Sequence, residues 1–155
     1  MRTLVVGIGN PILGSDSIGI RVANRIKKML GKANGVEVTE FVGGGIKLAE
    51  TILGYDRVIL IDCVNNLGNG EDVMVVDNYN EIKGGDTGIF DAHDMDFITA
   101  LEILKRACPE KTPKEIKIIA INCKSSPTFS ENLPPHLYET LNKAINVVME
   151  MIKND

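Results

Sequence analysis

The sequence predicts an α/β fold: one three-layer domain, residues 1–155, with helices on both faces of a mostly parallel, twisted sheet of about five strands. Three observations support this prediction. Short aliphatic runs alternate with amphipathic stretches. The run Arg57 to Asp62 consists almost entirely of aliphatic residues, which is typical of a strand covered on both faces. A glycine loop follows the first aliphatic run. No linker, repeat or low-complexity segment divides the 155 residues.

The first predicted unit is a strand, a glycine loop and a helix. The apolar run Leu4 to Val6 is interrupted by Gly7-Ile8-Gly9-Asn10-Pro11, and apolar residues then recur from Ile18 to Met29 with the spacing of one helical face. In open α/β sheets such a loop lies at the carboxyl end of its strand, where ligands bind. We therefore expect Asp16, in the turn before the helix, to point its carboxylate into a crevice.

The next segment predicts a half-buried strand and a central one. Val36 to Val42 alternates apolar and polar residues and leads into Gly43-Gly44-Gly45. The triplet is compatible with a ligand-approaching loop and equally with a plain flexible connection, and a short helix, Lys47 to Leu53, is predicted after it. Arg57 to Asp62 is predicted to be a central strand that ends at Asp62.

The second half of the chain predicts one antiparallel strand. Asp72 to Val76 follows a connection that is shorter than the dozen or so residues of a parallel crossover, so this strand should lie antiparallel at the periphery. Asp77 to Ala92 is interpreted as a long surface loop that leads to His93. The remaining predicted elements are a helix with Met95, Ile98, Leu101 and Leu104 on its apolar face, a strand from Ile116 to Ile121, and a closing helix from Pro134 with Leu137, Leu141, Ile145, Val148 and Ile152 on one face.

Composition excludes several classes of protein. The net charge is −4 and no basic stripe is present, so a nucleic-acid partner is not expected. Cys63, Cys108 and Cys123 are odd in number and widely spaced, which indicates neither a disulfide framework nor a zinc site and suits a reducing compartment. No signal layout, membrane-spanning run or long exposed apolar stripe is evident, so the expectation is a cytoplasmic monomer without a membrane partner.

Three side chains are predicted to meet at one edge of the sheet: Asp16, Asp62 and His93. Two carboxylates and an imidazole, with positions left for water or substrate, suit a divalent transition metal. Each residue has a simpler alternative. Asp16 could be a helix N-cap, Asp62 could bond a neighbouring loop, and His93 could cap its helix.

Other chemistries find less support in the sequence. Gly7-Ile8-Gly9 begins a dinucleotide-binding fingerprint, but Ile12 stands where the third glycine is required. No phosphate-binding loop or nucleophile elbow is present. Cys63 is interpreted as a core residue rather than a nucleophile, and His136 as a surface residue.

Three blocks resemble the hydrogenase maturation proteases, endopeptidases that trim the C-terminus of the nickel-iron hydrogenase large subunit. They are GIGNPILGSDSIGIRV at 7–22, the strand ending in Asp62 with the glycine-containing turn after it, and Ala92-His93-Asp94-Met95. Ser15 and Gly45 depart from the family pattern, in which an acid and a Thr or Ser are usual. The resemblance spans nearly the whole chain.

The resemblance implies that Asp16, Asp62 and His93 are both catalytic and metal-binding. By the same resemblance, we expect the nickel to be supplied by the hydrogenase large-subunit precursor, which is the expected partner, rather than stably bound by the protease. The nickel would polarise the scissile carbonyl or activate a water, or either carboxylate could act as general base. The family is conventionally grouped as aspartic-type. N–H groups of Gly9, Asn10, Gly43 and Gly44 could bind the tail or the oxyanion.

Two rival functions are compatible with parts of the sequence. LVVGIGNP also resembles the start of the peptidyl-tRNA hydrolases, but that family needs an early histidine and a basic surface, and the first histidine here is His93. A non-catalytic module that holds the tail of a metalloprotein is the other alternative.

Overall fold

Five strands and four α-helices make up the described part of the chain in the computed structural model, namely residues 1–33, 35–64, 70–77, 92–123 and 129–154, with backbone alone for 92–96. The elements in chain order are β1 (Thr3–Ile8), α1 (Ile18–Leu30), β2 (Val36–Phe41), α2 (Gly45–Thr51), β3 (Arg57–Val64), β4 (Val73–Val76), α3 (Ala92–Ala107), β5 (Glu115–Asn122) and α4 (Tyr138–Lys153). None of the helices in these ranges is long and apolar enough to cross a membrane.

The strands form one mixed sheet in the order β2-β1-β3-β5-β4. β1 pairs in parallel with β2 and β3, and β3 with β5, whereas β4 is antiparallel to β5 at the edge. The predicted fold class and the antiparallel peripheral strand are thus confirmed. The chain leaves β1 toward β2 on one side and returns as β3 on the other, so the carboxyl ends of β1 and β3 flank a topological switch point.

Two apolar layers hold the helices on the sheet. On one face α1 and α4 cover alternate strand residues, with Val5, Ile59 and Ile119 fully buried there. On the other face α2 and α3 cover the intervening residues. The core of that second layer includes Leu4, Val6, Leu48, Ile52, Leu60, Phe97, Leu101 and Ile118. The alternation follows from the period of two in a strand, and burial on both faces explains why β3 is nearly continuous aliphatic.

Helix α1 approaches the sheet closely because glycines meet at the contact. A Cβ added at Gly19 would lie 2.6 Å from the carbonyl oxygen of Ile61, and a Cβ at Gly7 would lie 2.6 Å from Cβ of Ala23. Neither position has room for a larger side chain. Gly19 therefore sets the distance between α1 and the carboxyl ends of β1 and β3.

Element boundaries differ from the predictions at several places. The closing helix begins at Tyr138 rather than at Pro134, after a short 3-10 turn, Pro135–Leu137. Helix α2 begins two residues earlier than expected, at Gly45, after Gly44 in an extended conformation. Strand β3 continues two residues beyond Asp62, because β5 keeps pairing with it as far as Val64↔Asn122. Of the predicted surface loop Asp77 to Ala92, residues 78–91 lie outside the described ranges.

Candidate active site

A cleft of about 280 Å³ opens at the carboxyl ends of β1 and β3, and both predicted acids line it. We refer to it as the acid cleft. Its lining residues are Ile8, Gly9, Asn10, Leu13, Asp16, Val42, Gly43 and Asp62. The cleft lies at the topological switch point, where open α/β sheets bind ligands.

Asp16 is held in the cleft by the glycine loop packed beneath it. It lies in a short 3-10 turn, Gly14–Ser17, where its N–H donates to the carbonyl of Leu13 at 2.8 Å and its own carbonyl accepts the N–H of Asn10 at 3.3 Å. Gly9 has φ +158°, and any Cβ there would collide with the Asp16 carbonyl. The N-cap of α1 is Ser17, so the N-cap alternative for Asp16 is wrong.

A strand-like bridge from a distant segment supports the same turn. Gly14 N–H donates to the carbonyl of Ser130 at 2.9 Å, and Ser130 N–H donates to the carbonyl of Ile12 at 2.8 Å. From α1, Arg21 Nε donates to the Ser17 hydroxyl at 2.8 Å. Sequence reasoning missed these supports. The Ser17 and Arg21 spacing of four could have suggested their contact on a helix, but no local pattern points to Ser130.

Asp62 reaches the cleft from inside β3 rather than from its end. The register Gly7↔Ile61 between β1 and β3 places Asp62 beside the end of β1, next to Ile8. One carboxylate oxygen, Oδ1, accepts the N–H of Cys63 at 2.8 Å. The side chain is half-buried, so its carboxylate remains accessible from the cleft.

His93 cannot be placed in the cleft from the described atoms. Its backbone lies in the first turn of α3, and its side chain is outside the described part of the chain. Among the described residues no group of three or more His, Cys, Asp or Glu side chains could hold a metal. The three-residue metal site therefore stays a prediction. Two of its members, Asp16 and Asp62, line the same cleft. His136 is exposed, as predicted.

The four predicted tail-binding residues differ in what their backbones can offer. Gly9 N–H donates to the Phe41 carbonyl at 3.2 Å and Asn10 N–H to the Asp16 carbonyl at 3.3 Å, so both donors are engaged within the protein. Gly9 and Asn10 shape the wall of the cleft. Gly43 lines it directly with φ +108°, and Gly44 follows as the N-cap of α2.

Cys63 and Cys123 form a disulfide, which corrects the expectation that the cysteines are unpaired. Their Cα atoms are 6.0 Å apart and they are separated by 60 residues. The pairing depends on β3 and β5 being neighbours in the sheet, and cysteine spacing does not reveal that. Cys123 is fully buried, with Sγ 3.6 Å from the carbonyl oxygen of Ser15, so the disulfide lies next to both acid-bearing segments. Cys108 is unpaired.

We expect Cys63→Ala to destabilise the oxidised protein by about 4 kcal/mol, because a disulfide closing a loop of this length restricts the unfolded chain. Urea unfolding should show the loss, and dithiothreitol should bring the wild-type curve close to that of the variant. Cys108→Ala is the matched control and should keep the dithiothreitol response. Identical wild-type curves with and without reductant would contradict the prediction.

Comparison with known proteins places the chain in a family. The family model "Hydrogenase maturation protease" matches residues 20–154. The hydrogenase 2 maturation protease of Escherichia coli is 23% identical over 154 residues, which are 98% of this chain and 88% of that protein.

Two solved structures share the fold. The hydrogenase maturating endopeptidase HybD of E. coli has a TM-score of 0.81 at 20% identity, covering 99% of this chain and 93% of that one. The [NiFe] hydrogenase maturation protease HybD of Thermococcus kodakarensis has a TM-score of 0.75 at 20% identity, covering 97% and 99%. The family-model match over residues 20–154, which is most of the chain, shows that it belongs to the hydrogenase maturation protease family.

Proposed function

We propose that the protein is an endopeptidase that removes the C-terminal tail of a nickel-iron hydrogenase large-subunit precursor after nickel has been inserted. The observation that carries the proposal is that Asp16 and Asp62 line one cleft at the switch point of a protein of this protease family. With family membership shown, the peptidyl-tRNA hydrolase alternative is not retained. We further propose a cytoplasmic monomer in which 1–155 form one domain.

In this proposal Asp16, Asp62 and His93 recognise nickel that the precursor carries. Carboxylate and imidazole groups are suitable ligands for a divalent transition metal, and the nickel is part of the substrate rather than a resident cofactor. The cleft is open, so a metal held by another protein can approach both acids. A precursor without nickel would lack this contact and would not be positioned for cleavage.

Hydrolysis then requires a base, an electrophilic carbonyl and a bound tail. The precursor's nickel polarises the scissile carbonyl, and a cleft carboxylate accepts the proton of the attacking water. The enzyme is aspartic-type in the sense of the family convention. We assign the backbone at Gly43 and Gly44 to binding the tail, because the N–H groups of Gly9 and Asn10 are already hydrogen-bonded within the protein.

A processing assay tests the proposal. The purified protein is mixed with the large-subunit precursor from the same source, loaded with nickel or free of it, and loss of the tail is followed by gel shift and mass spectrometry. We expect cleavage only of the loaded precursor. Equal cleavage of both forms would contradict nickel recognition, and binding of the loaded precursor without cleavage would favour the non-catalytic module.

A further inference from the structure

Strand β2 is an edge of the sheet, and its outer side borders a groove. Among the described strands β2 pairs with β1 alone. A groove of about 430 Å³ follows this edge, and we call it the edge groove. An unpaired strand edge presents a row of backbone donors and acceptors to whatever lies beside it.

The register identifies which backbone groups face the edge groove. Thr3 N–H donates to the Gly35 carbonyl at 2.8 Å and Gly9 N–H to the Phe41 carbonyl at 3.2 Å, at the two ends of the ladder with β1. In a parallel pair every second residue of a strand directs its N–H and C=O groups toward a given neighbour, so the odd-numbered residues of β2 direct theirs toward β1. Val36, Val38 and Glu40 therefore direct their N–H and C=O groups outward.

The walls of the edge groove leave space on both faces of any strand that is added beside β2. On one face it is lined by Lys27, Leu30 and Gly31 from the end of α1, and on the other by Thr51 and Tyr55. Such walls can receive the side chains of an added strand, which alternate between its two faces.

A charged cluster at the start of the edge groove is internally satisfied. The Tyr55 hydroxyl donates to Glu37 Oε2 at 2.5 Å and the Arg2 guanidinium lies 3.1 Å from Oε1. The hydrogen bond from Tyr55 and the contact with Arg2 lower the pKa of Glu37, and the same hydrogen bond raises the pKa of Tyr55. Glu37 is thus held as a paired carboxylate at this end of the groove.

The edge groove lies along the first four residues of β2, and the strand continues from there toward the acid cleft. The strand ends at Phe41, and the next two residues, Val42 and Gly43, line the cleft. Val42 is 61% exposed, so its side chain is accessible on the cleft wall. A chain lying along β2 and continuing past Phe41 would therefore reach the wall of the acid cleft that Val42 and Gly43 form.

We infer that the β2 edge binds an extended segment of the protein substrate, adjacent to the scissile bond, as an added strand. This inference rests on the proposed function, because a protease of this family must hold a polypeptide in its cleft. At roughly 3.3 Å per residue, the six residues of β2 can pair with a segment of about five or six residues. Main-chain hydrogen bonds would supply most of the affinity, with the groove walls selecting alternate side chains.

A binding experiment with N-methylated peptides tests the register directly. A fluorescent peptide of about twelve extended residues spanning the precursor cleavage site is titrated with Asp62→Asn protein, which is used to prevent turnover. Two further peptides carry N-methyl groups on alternate residues, one in each register. We expect one register to weaken binding about tenfold and the other to change it less than twofold, since only one edge of a strand faces β2. Equal effects in both registers, or no binding of the parent peptide, would overturn the inference.

A proline variant tests the same edge from the side of the protein. Val38→Pro removes an outward N–H without removing a bond to β1, and Val38→Ala is the matched control that loses similar packing but keeps the N–H. With circular dichroism unchanged, Val38→Pro should bind the parent peptide several-fold more weakly than Val38→Ala. Equal affinities would overturn the inference. Cleavage of the loaded precursor by the wild-type protein is scored separately, so failure of the proposed function is recognised independently.

Discussion

Asp16→Asn and Asp62→Asn should each abolish removal of the precursor tail while leaving the fold intact. Asparagine keeps the shape of the side chain, and at position 62 its Oδ1 can still accept the N–H of Cys63. It removes the negative charge that a metal ligand or a general base needs. A lost general base costs about 10²–10⁴ in rate, so we expect a fall in kcat/KM of at least about 10²-fold. His93→Ala should have a comparable effect.

The matched control is Asp56→Asn, which makes the same charge change at the opposite end of the sheet. Asp56 accepts the backbone N–H of Arg2 at 2.7 Å and is exposed, so this variant should process the precursor normally. Tail loss is measured by mass spectrometry with nickel-loaded precursor, and folding by circular dichroism. If any one of the three site variants cleaves at the wild-type rate, that residue has no place in the mechanism.

Gly19→Ala should destabilise the protein by about 2 kcal/mol and lower its activity as well. The added Cβ would meet the carbonyl oxygens of Ile8 and Ile61, which belong to paired strands and cannot move aside. The gain in helix propensity, about 1 kcal/mol, offsets only part of this cost. Because α1 begins directly after the Asp16 turn, pushing it from the sheet should also separate Asp16 from Asp62.

Gly31→Ala separates this clash from the general cost of replacing glycine. Gly31 lies just after α1 at φ +57°, and a Cβ there meets nothing within 4 Å. We expect a loss of about 1 kcal/mol, caused by backbone strain alone. Urea unfolding of both variants gives the comparison, and a Gly19→Ala variant no less stable than Gly31→Ala would show that α1 can shift without penalty.

The sequence by itself determined the fold class and the order of the elements. Burial is reflected in the local pattern of apolar residues. The continuous aliphatic run of β3, the alternation of apolar and polar residues in β2 and the helical spacing of apolar residues in α1 each follow from which faces are covered. The short connection before β4 required an antiparallel edge strand. Chain order also places the turn bearing Asp16 at the carboxyl end of a parallel strand, and this is why its position in a cleft could be predicted.

Only the tertiary structure decided the contacts between segments that are distant in the chain. The extension of β3 past Asp62, the Cys63–Cys123 disulfide and the support of the Asp16 turn by Ser130 all depend on which strands and loops become neighbours. Local periodicity indicates which residues are buried, but it does not indicate which distant residues they contact. The register of β2 is likewise set by its pairing with β1. The alternating sequence of a strand does not by itself specify which residues hydrogen-bond to a neighbour, so only this pairing decides which backbone groups of β2 face the edge groove.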